Sequence, residues 1–319
     1  MVVVTWNSAR WLTRTLDRLA DQRGVRLEVL VVDNASSDQS VELAERHPVV
    51  QRVIRRPNNG GYATGNNAGI ASSSGPVVLC LNPDVFLEPS FVTTLVDRLE
   101  GRRAFATGKL LRADASTGEP TQVIDSTGLF FLRNRRHVDR GASEPDDGAY
   151  WEPEEVFGAT GAALMATREA LEDVAPPGHP GPFDEAFFSY REDADLAWRA
   201  QLLGWRCWYE PSALGYHVRA LRPDDRRAQL DPAINMHSVK NRYLMLLKNE
   251  SWASLRPDLV PVLARELLIA GGVLLKERSS LRAYRLLLGH LRDAIRQRRW
   301  IQARRVTTPV ELRSRLFIP

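Results

Sequence analysis

Cysteine is scarce in this chain: Cys80 and Cys207 are the only two among 319 residues, and neither has a ligand-spaced neighbour. That excludes a disulfide framework and a cysteine metal site, and it suits a reducing compartment. Long apolar runs are missing as well. The longest uncharged stretch of the tail, Leu267–Leu275, has nine residues, against about 20 needed to cross a bilayer. Met1 opens directly onto Val2-Val3-Val4-Thr5, with no basic segment or cleavage site, so no secretory signal is expected. There is no internal repeat or low-complexity tract, and the composition is neither collagen-like nor disordered. No Ser–His–Asp order or nucleophilic cysteine setting supports covalent catalysis. The expectation is a cytoplasmic protein, peripheral on the inner face of the plasma membrane.

What is present begins with uneven charge. From Trp252 to Pro319 there are 14 Lys+Arg against 5 Asp+Glu, a net of +9, so the remaining residues sum to −5 within an overall +4. An acidic body with a basic tail points to an anionic partner of the tail. Nucleic acid is not expected, because no recognised binding module accompanies the charge.

The first third alternates short apolar runs with helical spacing. Val2–Thr5, Leu27–Val32, Val53-Ile54 and Val77–Leu81 read as strands; Trp11–Leu19, Val41–Arg46 and a start at Asn66 read as helices. Continuous apolar strands alternating with helices predict an α/β fold, with a mostly parallel sheet covered by helices on both faces. Ligands in such sheets bind beyond the carboxyl ends of the strands. The middle, Arg102–Asp184, is looser and rich in Gly and Pro. Arg191–Leu203 then has helical spacing and stops at Gly204, and Trp205–Tyr209 reads as a last strand.

The polar residues at strand ends are the candidates for chemistry. Asp33, in Val32-Asp33-Asn34-Ala35-Ser36-Ser37-Asp38, could accept from a nucleobase or ribose, or simply make an Asx-turn. Asn58–Gly69 is rich in glycine and asparagine, which allows close backbone approach to a ligand but equally describes a tight turn. It lacks the G-x-G-x-x-G spacing of a dinucleotide site, which counts against a nicotinamide-dependent oxidoreductase. Asn82-Pro83-Asp84 sets a carboxylate at a strand end, where one acid and a distant His can hold a cation that phosphate oxygens and waters complete; an Asn-Pro turn is the simpler reading. Glu192, Asp193 and Asp195 crowd three carboxylates at a helix start. That exceeds what a helix dipole needs and tends to raise a carboxylate pKa, as a general base requires. His217 fits a metal ligand or a core histidine.

Taken in order, these segments resemble the inverting family-two glycosyltransferases, in particular the bacterial branch with rhamnosyl- and galactofuranosyl-transferases. The resemblance runs through Val4-Thr5-Trp6-Asn7, Val32–Asp38, Asn59-Gly60-Gly61-Tyr62-Ala63, Gly65-Asn66-Asn67 and Leu81-Asn82-Pro83-Asp84. It continues through Gly161–Met165, Phe183–Phe188, Glu192–Leu196 and Gly215-Tyr216-His217. It covers about residues 1–250 and implies a GT-A catalytic domain there, with a nucleotide-binding half (1–100) and an acceptor half (101–250). Residues 251–319 then form a basic amphipathic helical region. It further implies a nucleotide-diphosphate sugar donor, dTDP-rhamnose favoured, with a Mg²⁺ or Mn²⁺ ion. A glycan or polyprenyl-diphosphate-linked acceptor, in cell-surface polysaccharide synthesis, is the expectation. UDP-linked sugars, or a non-catalytic sugar-binding relative, are the alternatives.

Carried over by position, Thr5, Asn7 and Asp33 would line the nucleotide pocket, and Asn59, Gly60, Gly61 and Asn66 would shape the donor loop. Asp84 would be the acid of a D-x-D element that here reads Asn82-x-Asp84, with His217 a second metal ligand. Asp193 would be the base, and Glu192 or Asp195 would orient substrate. Lys240 and Arg242 fall where relatives carry a basic element near the diphosphate. Arg191 departs from the family pattern, and its charge beside the base is expected to lower that pKa or to pair with an acceptor phosphate. In the tail, Leu281, Tyr284, Leu288, Leu291 and Ile295 recur at helical spacing beside Arg285, Arg292, Arg296 and Arg299. The pattern suits a helix lying in a membrane interface, or one packed on the catalytic domain or a second subunit.

Overall fold

The computed structural model describes residues 1–219, 232–275 and 278–318. Strand and helix alternate at the start: β1 (Val2–Thr5), α1 (Ala9–Ala20), β2 (Val29–Asp33), α2 (Ser40–Arg46), β3 (Val50–Arg55), α3 (Gly61–Ser72) and β4 (Val77–Leu81). Next come β5 (Val85–Leu87), α4 (Phe91–Val96), β6 (Arg103–Ala113), β7 (Pro120–Ser126), β8 (Leu129–Leu132), β9 (His137–Asp139), β10 (Glu154–Val156) and β11 (Ala163–Thr167). Then follow α5 (Arg168–Val174), α6 (Glu192–Leu202), β12 (Arg206–His217), α7 (Pro232–Asn249), α8 (Trp252–Leu255), α9 (Leu259–Leu275), α10 (Arg282–Arg304), α11 (Pro309–Leu316) and β13 (Phe317–Ile318).

One large sheet has the order β10-β12-β6-β11-β4-β1-β2-β3. Its first half, β3-β2-β1-β4, is parallel throughout, as the apolar runs predict. Beyond β4 the sheet is mixed: β11 runs antiparallel between β4 and β6, and β12 returns parallel to β6. Successive side chains point to opposite faces of a strand. Val2, Val32 and Cys80 therefore pack under α3, α5 and α6, while Val3, Val31, Leu79 and Leu81 pack under α1 and α4.

The direction of β11 positions the site. Antiparallel pairing sets its first residue, Ala163, opposite Leu81, the last residue of β4. The Gly161-Ala162 turn thus arrives at the carboxyl end of the parallel strands. Pairing of β12 with β5 similarly sets His217 opposite Val85, next to Asp84.

Helix α3 begins at Gly61, five residues before the start expected at Asn66. The glycines of this segment therefore belong largely to a helix surface: a Cβ on Gly65 would lie 2.6 Å from Val4 Cγ1 of β1. The last strand is longer than expected, Arg206–His217 against Trp205–Tyr209.

The tail is folded onto the body. Ala294 and Ile301 of α10 and Leu312 of α11 share a core with Phe157, Trp198 and Leu244, and Thr307 Oγ1 donates to Gln201 O at 2.6 Å. Strand β13 pairs parallel with β8, which pairs with β9. The inward face of α10 is Ala283, Ala294, Gln297 and Ile301. The expected stripe is divided: Leu281 and Leu288 are exposed, whereas Tyr284, Leu291 and Ile295 are half-buried.

Candidate active site

Three groups of side chains meet at the carboxyl ends of β1, β2 and β4. The first lies over β1 and β2, where Thr5 and Asp33 are paired in register. Asn7 has φ 51° and locks the two loops together: its N–H donates to Ser36 Oγ at 2.9 Å and its Oδ1 accepts from Ser37 N at 2.8 Å. Asp33 Oδ2 accepts from Ser36 N at 3.0 Å, so the Asx-turn is real. Its Oδ1 is nonetheless buried without a protein partner, as are Thr5 Oγ1, Asn34 Oδ1 and Asn66 Oδ1. Buried polar atoms are nearly always satisfied in folded proteins, so these four leave hydrogen-bonding capacity at this corner for a water or a polar ligand.

Helix α3 forms the wall of this corner. Asn59 Oδ1 accepts from Gly61 N at 2.9 Å, and Asn34 Nδ2 donates to Gly61 O at 3.0 Å. Gly61 has φ 79°, and a Cβ there would stand 2.2 Å from Phe188 O, so this turn admits only glycine. Gly60 sits just outside the helix as its N-cap. Asn66, one turn in, donates from Nδ2 to Tyr62 O at 3.1 Å.

The second group surrounds Asp84. Asn82 N donates to Ala162 O at 2.9 Å, fixing the end of β4. His217 Nε2 faces Asp84 Oδ1 at 3.4 Å, while its Nδ1 is 2.7 Å from Asp125 Oδ2. Arg219 then bridges Asp125 Oδ1 (3.1 Å) and Asp139 Oδ2 (2.7 Å). Burial alone would lower the imidazole pKa, but Asp84 and then Asp125 outweigh it and raise it to about 9. Among the described residues no three His, Cys, Asp or Glu side chains form a closed metal cluster. With Nε2 deprotonated, the pair Asp84 and His217 fits an open divalent-ion site, and an ion entering there would have to displace the proton that the raised pKa keeps on the ring. A carboxylate and an imidazole nitrogen point at one another, and a second carboxylate, Asp125, orients the ring from behind as ligating histidines require.

The third group is the start of α6. Asp193 Oδ2 accepts from Gly161 N at 2.9 Å and its Oδ1 from Ala194 N at 2.7 Å. Tyr62 Oη donates to Gly161 O at 2.6 Å. Burial, the largest influence, pushes the Asp193 carboxyl above the usual carboxylate range, although the Gly161 N–H favours its charged form. Glu192 is buried with Oε2 unpaired. Burial and then the charge of Asp193 hold its pKa well above the ordinary range.

The turn leading into α6 is strained: Phe188, Tyr190 and Arg191 all have positive φ, at 65°, 71° and 73°. Asn241 of α7 holds it, its Nδ2 donating to the carbonyls of Phe187 (2.9 Å), Ser189 (2.9 Å) and Tyr190 (2.7 Å).

Four expectations are corrected here. Asp195 is not at the site: fully buried, it accepts from Lys248 Nζ at 2.8 Å and Asn249 Nδ2 at 2.7 Å, riveting α6 to α7. Positions two apart on a helix face nearly opposite ways, so Asp193 and Asp195 cannot both look outward. Arg242 is buried against Glu266 Oε1 (2.6 Å) and the carbonyls of Asn134 and Arg135, so it is not offered to a diphosphate. Lys240 is buried beneath the turn, donating to Ala186 O. Arg191 pairs with Ser238 O (3.1 Å) and His137 Nδ1 (2.9 Å) rather than with Asp193, whose pKa is raised rather than lowered.

Sequence reasoning passed over Asp125 and Arg219, and gave no role to Tyr62 or Asn241 although both lie within segments it singled out. A signal for the first existed, since Val123-Ile124-Asp125 sets a carboxylate at the end of an apolar run.

The sequence profile described as Glycosyl transferase family 2 matches residues 1–174. The N-acetylglucosaminyl-diphospho-decaprenol L-rhamnosyltransferase of Mycobacterium tuberculosis is 30% identical over 275 residues, covering 79% of this chain and 84% of that protein. The structure of S. aureus TarS 1–349 in complex with UDP-GlcNAc aligns with TM-score 0.56 at 16% identity, over 95% of this chain and 86% of that one. GalNAc-T7 with UDP, GalNAc and Mn²⁺ aligns with TM-score 0.58 at 15% identity, over 77% of this chain but only 47% of that one. At such identities the structural likenesses establish the fold alone, and that fold is GT-A.

Proposed function

From the membership of this chain in glycosyl transferase family 2, as an enzyme of glycosyl transfer, we propose an inverting, metal-dependent L-rhamnosyltransferase. Its donor in this reading is dTDP-rhamnose, and its acceptor a hydroxyl of a lipid-diphosphate-linked glycan. The sugar and the acceptor class come from the mycobacterial relative, whose name states both.

The observation that carries the mechanism is the Gly161-Ala162 turn. Ala162 O receives the N–H of Asn82 at the end of β4, and Gly161 N–H holds the carboxylate of Asp193. One dipeptide therefore couples the acid-bearing strand end to the proposed base. In the reaction the Asp193 carboxylate takes the proton of the acceptor hydroxyl as its oxygen bonds to the anomeric carbon. The bond from that carbon to the diphosphate breaks on the opposite face, and the nucleoside diphosphate leaves with the electron pair. Glu192, whose burial keeps its proton on to a higher pH, offers an O–H to orient the acceptor. Asp33, Thr5 and Asn66 supply acceptors, and Asn7 and Asn59 shape the loops, for the nucleoside. Asp84 and His217 would hold a Mg²⁺ or Mn²⁺ ion, which when bound offsets charge on the leaving diphosphate.

Thermal shift against dTDP-rhamnose, UDP-sugars and free nucleotides, each with Mn²⁺, Mg²⁺ or EDTA, tests this. Saturation at about 100 times Kd adds roughly 2.7 kcal/mol. A metal-dependent shift with dTDP-rhamnose alone is expected. A shift with UDP-sugars instead would move the enzyme to another donor class, and no shift with any would remove the donor-site assignments and bring the non-catalytic alternative forward.

A further inference from the structure

We infer that α9 is a membrane-docking element that lays its outward face into the interfacial zone of an anionic lipid bilayer. This deepens the reading of a lipid-held acceptor and rests on that reading for its purpose. The docking itself rests on the surface.

Helix α9 is amphipathic in the inverted sense. Its only two charged residues, Arg265 and Glu266, are half-buried on the protein side, with Glu266 paired to Arg242 at 2.6 Å. Val262 and Val273 make its inward contacts. The outward arc carries Val260, Leu263, Leu267, Leu268, Leu274 and Leu275, all between 52% and 81% exposed. On a 3.6-residue period these six fall within roughly 140° of one another, with no charged residue among them. A contiguous apolar face of this kind marks an interaction surface. At 17 residues the helix lies flat rather than spanning, and no described helix is long and apolar enough to cross a membrane.

The charge around it selects the occupant. Helix α10 abuts α9 through Ala283 and Tyr284, which pack with Ile269 and Val273. Around that contact and along the same helix, Arg282, Arg285, Arg292, Arg296 and Arg299 are exposed. Arg282 and Arg285 adjoin that contact directly and the other three extend the positive charge along α10; an apolar face with arginines at its edge matches an acyl–headgroup boundary carrying negative charge. A second copy meeting this face about a twofold axis would instead bring the Arg282 and Arg285 pairs together.

The position also suits the acceptor side. Glu266 of α9 holds Arg242, whose neighbour Asn241 holds the Phe188–Arg191 turn that leads into Asp193. A bilayer under α9 therefore lies on the side of the molecule that braces the base.

The test is co-sedimentation of the full chain with vesicles of phosphatidylcholine, with or without phosphatidylglycerol, against the double variant Leu267→Glu/Leu268→Glu. Both sites are exposed, and an unchanged melting curve will confirm folding. The expected result is recovery with the anionic vesicles only, with partitioning at least about tenfold lower in the variant. Turnover of a soluble short-chain acceptor should not change. As a second readout, a Leu267→Cys chain labelled with an environment-sensitive dye should brighten on the anionic vesicles, whereas a Glu42→Cys control should not. Cys80 and Cys207 are buried and will not compete for the label.

Equal recovery of variant and parent would overturn the proposal. So would a parent dimer that the variant dissociates while vesicle recovery stays the same, because the face would then belong to a second copy. Docking that persists without turnover of any lipid-linked acceptor counts against the acceptor reading alone. Loss of docking with turnover intact is the outcome expected of the variant, and it leaves the activity untouched.

Discussion

Asp193 is pulled two ways. Burial raises its pKa, and the Gly161 N–H favours the charge; burial is the stronger, with Asp139 adding to it and Arg219 opposing. As the proposed base it would work as a carboxylate, so activity should fall as pH drops through a pKa above the ordinary aspartate range. Asp193→Asn should reduce kcat about 10²–10⁴-fold while the thermal shift with donor stays as in the parent; a variant that turns over normally would remove Asp193 from the role. Asp125 acts at one remove, through the ring of His217 at 2.7 Å. Asp125→Asn should weaken Mn²⁺ binding about 10–100-fold, read by calorimetry without turnover, and an unchanged affinity would leave Asp125 a purely structural partner of Arg219.

At the scale of elements, α6 is enveloped on all sides, and its junction with α7 is ionic. Lys248 Nζ, fully buried, reaches Asp184 Oδ2 at 2.6 Å and Asp195 Oδ2 at 2.8 Å. Removing it leaves Asp184 without a cation and Asp195 with Arg199 alone at 3.3 Å, so Lys248→Met should cost about 3–5 kcal/mol, seen as a lower urea midpoint at unchanged slope. A loss under 1 kcal/mol would show that the junction tolerates the uncompensated charge. Elements buried on both faces were the legible ones: the apolar run Val77–Leu81 has the same bounds as β4. The start of α3 was not legible, because what fixes Gly61 is the carbonyl of Phe188, more than a hundred residues away. Nor could pattern distinguish Asp193 from Asp195. In a helix with almost every residue buried, hydrophobic periodicity no longer tells inside from outside. Asp84 and His217 were joined in the sequence only through the family resemblance, as ligands of one ion; the geometry that brings them together is the pairing of β5 with β12.

For the molecule as a whole, the basic tail is part of the catalytic body. Ile301 and Ala294 cover Trp198, and Gln297 Nε2 donates to Asp184 Oδ2 at 2.9 Å, beside Lys248. Arg135 ties the two sides of the expected boundary, pairing with both Glu250 and Asp258. A chain ending at Ser251 should therefore lose its cooperative thermal transition, checked by calorimetry. A sharp melt from that fragment would mean that α10 and α11 contribute little to the core. The charge split seen in the sequence was informative about the tail's outer surface, and silent about the inner one.

The Gly161-Ala162 turn has one more consequence. Because a single dipeptide is hydrogen-bonded to the strand end on one side and to Asp193 on the other, a shift of one half of the proposed pocket would strain or break its bond to the other. Linkage makes such a tie symmetric: if filling the donor side tightens the acceptor's Kd by some factor, acceptor must tighten the donor's by that same factor. Two binding titrations, each with the other ligand saturating, should return one number, and a number of one would mean that the turn is a hinge rather than a strut.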